Sequence, residues 1–439
     1  MVMAIMDGFT SKLASLAPAA RLVSELGLVS DVVELTGEDT RGNPYHVCVA
    51  NLGSVSRAVT GDGEWQHQEE RGNINGVGVH EDVRIARLLA VTEALERYAL
   101  CTWNSERLVV APERELPSED VLSPSRWSVS SPEEMTRSGS GLRPYDPSLP
   151  IRWVRGFSLT DGREQLVPAA AVYMHMRPIS DSERFTFAAT TGTSAHSDLR
   201  QAVIGAILEV SERESIALTW LHQLPLAEIH SELVPAIAPG GRVTRCFDAT
   251  TDLGIPTVYA VQVSETDESL AQIVAASCAL TWESALHKVG RELLSLRIAL
   301  RSAGPLYEAP TLGQVSVTGG ARWLGRRSMR CEFDFLLRSQ TPPQSPTSIP
   351  TGLSVDPLPH LLAMLKNKGM DAVAVDVTPD EGWGIGFRVV KVVVPQAIPV
   401  SFVPGERSTI CPRLYEVPAR MGFAARRPSE LNPLPQPFA

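Results

Sequence analysis

The sequence is short of paired cysteines, of excess basic charge and of long apolar runs. Its six cysteines, Cys48, Cys101, Cys246, Cys278, Cys331 and Cys411, are scattered, with no Cys-x-x-Cys pair. That pattern argues against a zinc site or a disulfide framework and makes a reducing cytoplasm the expected compartment. The nine histidines fall into no metal-ligand spacing. Acidic residues outnumber basic ones, 50 against 40, for a formal net charge of -10, the opposite of the basic footprint that nucleic-acid binding leaves. No run approaches the ~18 apolar residues that cross a bilayer, so no membrane segment is expected. The start, MVMAIMDGFT, sets Asp7 behind a short apolar stretch and lacks the basic-then-apolar order of a signal peptide. What is present is globular: 439 residues, 44% hydrophobic and 21% charged, enough for a large core or several subdomains.

Helix and strand signals interleave along the chain. Apolar residues recur at helical spacing over 82–100, and the same reading gives helices over 198–220 and 283–303. The polar stretch TGDGEWQHQEERGNINGVG, 60–78, reads as a Gly- and Asn-rich loop, 112–150 as a surface excursion, and 187–197 as a small-residue loop. Two apolar runs around Thr160-Asp161-Gly162 predict a β-hairpin, and 244–263 predicts strand, turn, strand. Residues 340–359, rich in Pro and Ser, read as a mobile loop; 371–378 and 387–395 read as strands. Pro433, Pro435 and Pro437 alternate in the tail, each without an N–H, so it must be extended. The class is α/β or α+β.

One pattern carries chemistry. Glu-x-x-Glu-Arg occurs in TEALERYAL, 92–100, and again in LEVSERESI, 208–216. Residues three apart share a helix face, so Glu93 and Glu96 point together, as do Glu209 and Glu212. Carboxylates so close repel unless a cation joins them, and Mg²⁺ is commonly held by a few carboxylates plus nucleotide phosphates. Arg97 and Arg213 adjoin each pair and suit phosphate oxygens. RELLSLR offers a degenerate third version in Glu292 and Arg297. Solvated helix faces with weak Glu–Arg pairs would show the same spacing, and spacing alone leaves both readings open.

The segments NGVGVHEDVRIARLLAVTEALERYA, WVRGFSLTDGREQLVPAAAVY, ATTGTSAHSDLRQAVIGAILEVSERESIALTW, DLGIPTVYAV with ALHKVGRELLSLR, and NPLPQPFA follow one another in the order of the YcaO family's signatures. The chain resembles that family from about residue 73 to its end. The resemblance implies a YcaO-like fold, with the Glu-x-x-Glu-Arg helices packed around mixed sheets. It divides the chain into an N-terminal region (1–72), an ATP-binding catalytic domain (73–400) and a C-terminal segment with the Pro-rich tail (401–439). It further implies an ATP- and Mg²⁺-dependent enzyme that phosphorylates a backbone amide oxygen in a precursor peptide. In the azoline-forming branch, which the Pro-rich ending resembles, Cys, Ser or Thr becomes thiazoline or oxazoline. Thioamide or amidine formation, and a non-catalytic docking subunit, are the alternatives.

Carried over by motif, Glu93, Glu96, Glu209 and Glu212 fall on the family's metal and nucleotide glutamates. Arg97, Arg213, Glu292 and Arg297 fall on accompanying nucleotide residues. Thr190 and Thr191 stand in the loop that approaches the nucleotide. Where many members have Ser-Gly-Lys-Gly, this chain has Asn75-Gly76-Val77-Gly78, which leaves Asn75 and the glycine N–H groups to serve phosphate. His196, at the head of the second helix, is a candidate general base or a histidine satisfied by backbone groups. Pro433, Pro435 and Pro437, with Phe438 as an apolar anchor, are expected to organise the peptide-reacting end of the site. Trp65, Trp103, Trp220 and Trp323 are expected in core or interface, and Asp248, Asp252 and Asp376 are assigned no chemistry. The expected partners are the precursor peptide and an E1-like or leader-binding protein. The region before residue 73 has little room for such a domain, so that protein is expected to be separate. A homodimer is compatible with the sequence.

Overall fold

The computed structural model describes residues 11–38, 44–52, 74–136, 140–233, 237–238, 241–311, 316–344, 351–403 and 406–438. Most of the polar stretch 60–78, Trp65 within it, lies outside the described residues.

Three long helices carry the architecture. Helix α1 (Val83–Cys101) begins where the Asp82 carboxylate accepts the N–H groups of Arg84 and Ile85. Helix α2 (Leu199–His222) begins at Asp198, which accepts the Gln201 N–H, and stops at left-handed Gln223. Helix α3 (Trp282–Ala303) is capped by Thr281 and ends at Gly304, φ 71°. Each cap satisfies N–H groups that a first turn leaves without partners.

The helices pack among three sheets whose named strand pairs are all antiparallel. The first has the order β1 (Asp31–Glu38), β2 (Pro44–Asn51), β3 (Gly76–His80). Strands β2 and β3 are direct neighbours although the expected domain boundary at 72–73 falls between them. The second sheet is built from β4 (Val109–Pro112), β5 (Pro150–Ser158), β6 (Arg163–Pro168) and β7 (Thr193–His196), with two strands given below. The third holds β8 (Glu228–Ile229), β9 (Ile237–Ala238), β10 (Arg242–Asp248), β11 (Thr257–Val263) and β12 (Gln272–Cys278). Strands β13 (Val373–Asp376) and β14 (Arg388–Val393) complete the second sheet, whose order is β4-β5-β13-β14-β7, with β6 paired to β5. Strands β11 and β12 are buried throughout, because α2, α3 and the chain after 316 cover them.

Four expectations change. Gly76-Val77-Gly78 is strand, not loop: a Cβ at Gly76 would stand 2.0 Å from the Ala90 carbonyl oxygen, and one at Gly78 would stand 2.0 Å from that of Ala86. Those glycines let β3 press against α1. The small-residue stretch 187–197 ends in β7, whose short side chains sit between α1 and α2. Residues 340–359 contain a short helix, Thr351–Val355, and the first turn of α4 (Pro357–Asn367); Pro357 opens it, where a missing N–H costs nothing. Residues 345–350 lie outside the described residues. Finally, 112–150 is more than surface: Leu122, Glu134 and Met135 are buried, and Glu134 accepts the Arg407 and Thr409 N–H groups.

The tail is extended, as its prolines require, and it is docked. Asn432 donates its N–H to the Leu221 carbonyl, and the Trp220 indole donates to the Leu434 carbonyl. A Cβ on Gly320 would stand 1.9 Å from the Gln436 carbonyl oxygen. Leu431, Gln436 and Phe438 are buried, while Pro433 is exposed, Pro435 half-buried and Pro437 buried. Among the described residues, no helix is long and apolar enough to cross a membrane.

Candidate functional site

Strands β3, β7 and β12 are the terminal strands of the three sheets, and a terminal strand carries N–H groups without a sheet partner. Here glutamates of α1 and α2 take them. Val77, on β3, donates to Glu93 at 2.6 Å; Ala195, on β7, donates to Glu96 at 2.6 Å; Cys278, closing β12, donates to Glu212 at 2.9 Å. Glu209 accepts from Gly192, the residue before β7, at 3.0 Å. Each carboxylate therefore has one oxygen fixed by backbone. The sites of the two motif copies meet because β7 touches both helices.

The electrostatics agree. Burial, with repulsion from Glu93 and Glu209, pushes the Glu96 carboxyl up to about 8 against the single N–H bond that favours its charge. Burial also raises Glu209, opposed by Arg213. Glu292, on α3, lies within electrostatic reach of Lys288, Glu212, Glu93 and Arg213. Lys288 stands 3.2 Å from Glu212, and that carboxylate raises its ammonium above the usual range. Crowded carboxylates short of positive charge are the donor set a hard cation suits. Among the described residues no three or more Asp, Glu, His or Cys side chains form a ready-made cage, so phosphate oxygens and water are the remaining donors for Mg²⁺.

The two arginines differ. Arg97 donates to Glu93 and to the Asn75 carbonyl, each at 2.7 Å. Arg213 is 3.5 Å from Glu209 and lies over the Phe438 ring, 5.3 Å to its centroid, so the tail reaches the glutamate helix. The Asn75 side chain accepts the Leu52 N–H and donates to Asn51, tying β2 to β3. Thr190 and Thr191 form the turn ahead of Gly192, closed by the Thr193 N–H on the Thr190 carbonyl at 3.0 Å. His196 accepts the Asp198 N–H on Nδ1 at 2.8 Å, and burial lowers its ring below the usual histidine range. Strand alternation turns it away from the face Ala195 presents. Arg297 is not brought to the glutamates. It lies five residues past Glu292, on another helix face, buried against Gln262 and the Leu270 carbonyl. Trp220 is fully buried, and Trp103 and Trp323 pack at the rims of two core clusters. Asp252 is committed to Arg413, Arg420 and Lys368.

Two cations of the site escaped the sequence reading. Lys288 is four residues before Glu292 on α3, a same-face spacing that was available. Lys391 is a lone charge inside the apolar run VVKVV, 389–393, of β14, a departure from pattern that pointed to a buried partner.

Glutamate pairs on two helices, cations beside them and an ordered turn thus meet in one acidic cluster of an α+β fold. Residues 76–398 match the family described as YcaO cyclodehydratase, ATP- and Mg²⁺-binding. The chain belongs to the YcaO family, and ATP and Mg²⁺ are its cofactors. An uncharacterized protein of Methanothermobacter thermautotrophicus is 27% identical over 187 residues, 40% of this chain and 44% of that protein. Among solved structures, a heterocyclase in complex with substrate and cofactor matches with a TM-score of 0.75 at 21% identity, over 97% of this chain and 57% of that one. The heterocyclase TruD matches at 0.62 and 20% identity, over 81% and 52%. YcaO from Methanopyrus kandleri, bound with AMPPCP and Mg²⁺, matches at 0.57 and 17% identity, over 87% and 88%. These likenesses are of fold. The chain spans little more than half the length of the two heterocyclases.

Proposed function

We propose that this chain is an ATP-dependent cyclodehydratase that converts Cys, Ser or Thr of a precursor peptide to thiazoline or oxazoline, in the cytoplasm and beside a separate leader-binding partner. The observation that supports it most is the convergence of Glu93, Glu96, Glu209 and Glu212, each anchored on a sheet edge by one backbone N–H. One or two of these carboxylates at a time would hold a Mg²⁺ ion, with nucleotide phosphates and water as its other donors. Arg213, Lys288 and Glu292 lie within electrostatic reach of these glutamates; the two cations suit anionic oxygens. Bound ATP supplies the phosphoryl group that turns an amide oxygen into a phosphate leaving group, a reaction that asks the protein for position and charge neutralisation more than for a nucleophile. The chain's own part is therefore to orient: the edge strands fix the carboxylates, and the docked tail, with Phe438 against Arg213, would organise the peptide-reacting end. The complexes named microcin synthetase McbBCD, one with pro-MccB17 bound, share the fold at TM-scores of 0.56 and 0.53; they support the reading that this chain works on a peptide with partner subunits.

The test is mass spectrometry of a leader-bearing precursor incubated with the chain, its partner and ATP. One water should be lost per ring, with matching ATP turnover. Glu209→Ala and Glu212→Ala should each lower turnover by roughly 10²–10³-fold while the protein stays folded. ATP turnover with no water loss would favour thioamide formation; water loss that persists when every Cys, Ser and Thr of the peptide is replaced would favour an amidine; no peptide-dependent turnover would make the chain a docking subunit.

A further inference from the structure

Lys391 lies in the middle of β14, 4% exposed, in a strand otherwise apolar from Val389 to Val393. A buried ammonium is costly unless hydrogen-bonded, and burial lowers this one to about 8. Its partners are two backbone carbonyls, Ala189 and Thr191, each at 2.6 Å. These carbonyls bracket Thr190. The next residue, Gly192, has φ 80°, gives its N–H to Glu209 and accepts the Val392 N–H at 2.7 Å. A Cβ at 192 would stand 2.4 Å from the Val392 carbonyl oxygen. One short turn is thus pinned to β14 by a side chain and by backbone, and its outward contact is a glutamate of the site.

We infer that Lys391 is a positioning residue: it fixes the Ala189–Gly192 turn so that the Gly192 N–H holds one oxygen of Glu209 in place for nucleotide and metal. The inference rests on the reading of Glu209 as a carboxylate of the ATP–Mg²⁺ site. The carbonyls call for a compact group with several donors on one nitrogen. Lysine offers three, glutamine two, and methionine none.

The test measures binding of a non-hydrolysable ATP analogue to the whole chain by calorimetry, with and without Mg²⁺, beside thermal melting. Lys391→Met should raise the Mg²⁺-dependent Kd about tenfold or more, as loss of a group that orients a metal ligand does. The Mg²⁺-free Kd should change much less, and the chain should still unfold cooperatively, at a somewhat lower temperature because two carbonyls lose their donor. Lys391→Gln, with two donors where lysine has three, should recover part of the loss and still bind more weakly than the unsubstituted chain. Unchanged Mg²⁺-dependent binding in Lys391→Met overturns the inference, as does a Gln variant no better than Met. If Lys391→Met does not fold, the Gln variant decides: a weakened Mg²⁺-dependent affinity sustains the inference, and an unchanged affinity with a lowered melting temperature overturns it. Glu209→Ala measured in parallel separates the two layers: Mg²⁺-dependent binding that survives it removes the reading of Glu209, whatever Lys391 does.

Discussion

In α1, Arg97 is gripped by Glu93 and by the Asn75 carbonyl at 2.7 Å each; in α2, Arg213 stands 3.5 Å from its glutamate and shares an aromatic face with Phe438. The motif is the same Glu-x-x-Glu-Arg, yet the first arginine secures the entry to β3 while the second is loosely held between the carboxylates and the tail. A third acid sharpens the contrast. Glu214, two residues past Glu212, is fully buried and forks onto Arg413 at 2.8 and 2.7 Å. Identical chemistry on one helix thus divides into a face that leaves charge unbalanced and a face that balances it completely. The proposed function uses the unbalanced face.

The difference can be broken by substitution. Arg213→Ala should lower ATP turnover by about 10²-fold or more and leave the denaturation midpoint nearly unchanged. Arg97→Ala should instead cost about 1–3 kcal/mol of stability, because a carbonyl and a carboxylate lose their donor, with a smaller loss of turnover. Equal effects of the two on both measurements would end the distinction. Next in size, deleting residues 432–439 should cut ring formation by about 10²-fold through misplacement of the reacting groups. ATP affinity should fall less, by the factor of about 3 to 30 that one cation–π contact is worth. Equal loss of both would assign the tail to folding. Gly78→Ala should cost about 1–3 kcal/mol by overpacking, read from a urea melt; intact stability with weakened nucleotide binding would return that glycine to a phosphate-binding role. The smallest effect is on pH. Glu96 keeps its proton to about 8 in the folded chain, against an ordinary 4.5. The folded state then holds a proton that the unfolded state releases, so stability is full below 4.5 and declines as pH rises to 8. The metal-free chain should melt lower at pH 8 than at pH 5, and Glu96→Gln should show a flatter profile.

The long helices were legible because each announces itself twice, by a cap residue and by apolar spacing: Asp82, Asp198 and Thr281 are where the three begin. The glutamate pairs were legible for the same reason, since a helix fixes which residues share a face. Glycine misled. In Gly76-Val77-Gly78 it serves close approach of strand to helix, and composition cannot tell that from a turn. Thr193–His196 escaped as a strand because its pairing with β14 joins residues nearly two hundred positions apart. Arg297 was credited to the site by its place after Glu292, although five residues along a helix point elsewhere. What no local pattern could show is that three sheets end at one place.

That last feature bears on how the protein is made. The bond from Ala195 to Glu96 closes over 99 residues and that from Cys278 to Glu212 over 66. Contacts of such separation form late, after local helices and hairpins are in place. A nascent chain emerging in order would present α1 and its acids long before the strands that fasten them exist, and could not engage nucleotide until β12 had docked. Once complete, the same wiring makes catalysis the most sensitive gauge of assembly: loosening any one sheet should silence ATP use while circular dichroism still reports nearly all of the secondary structure.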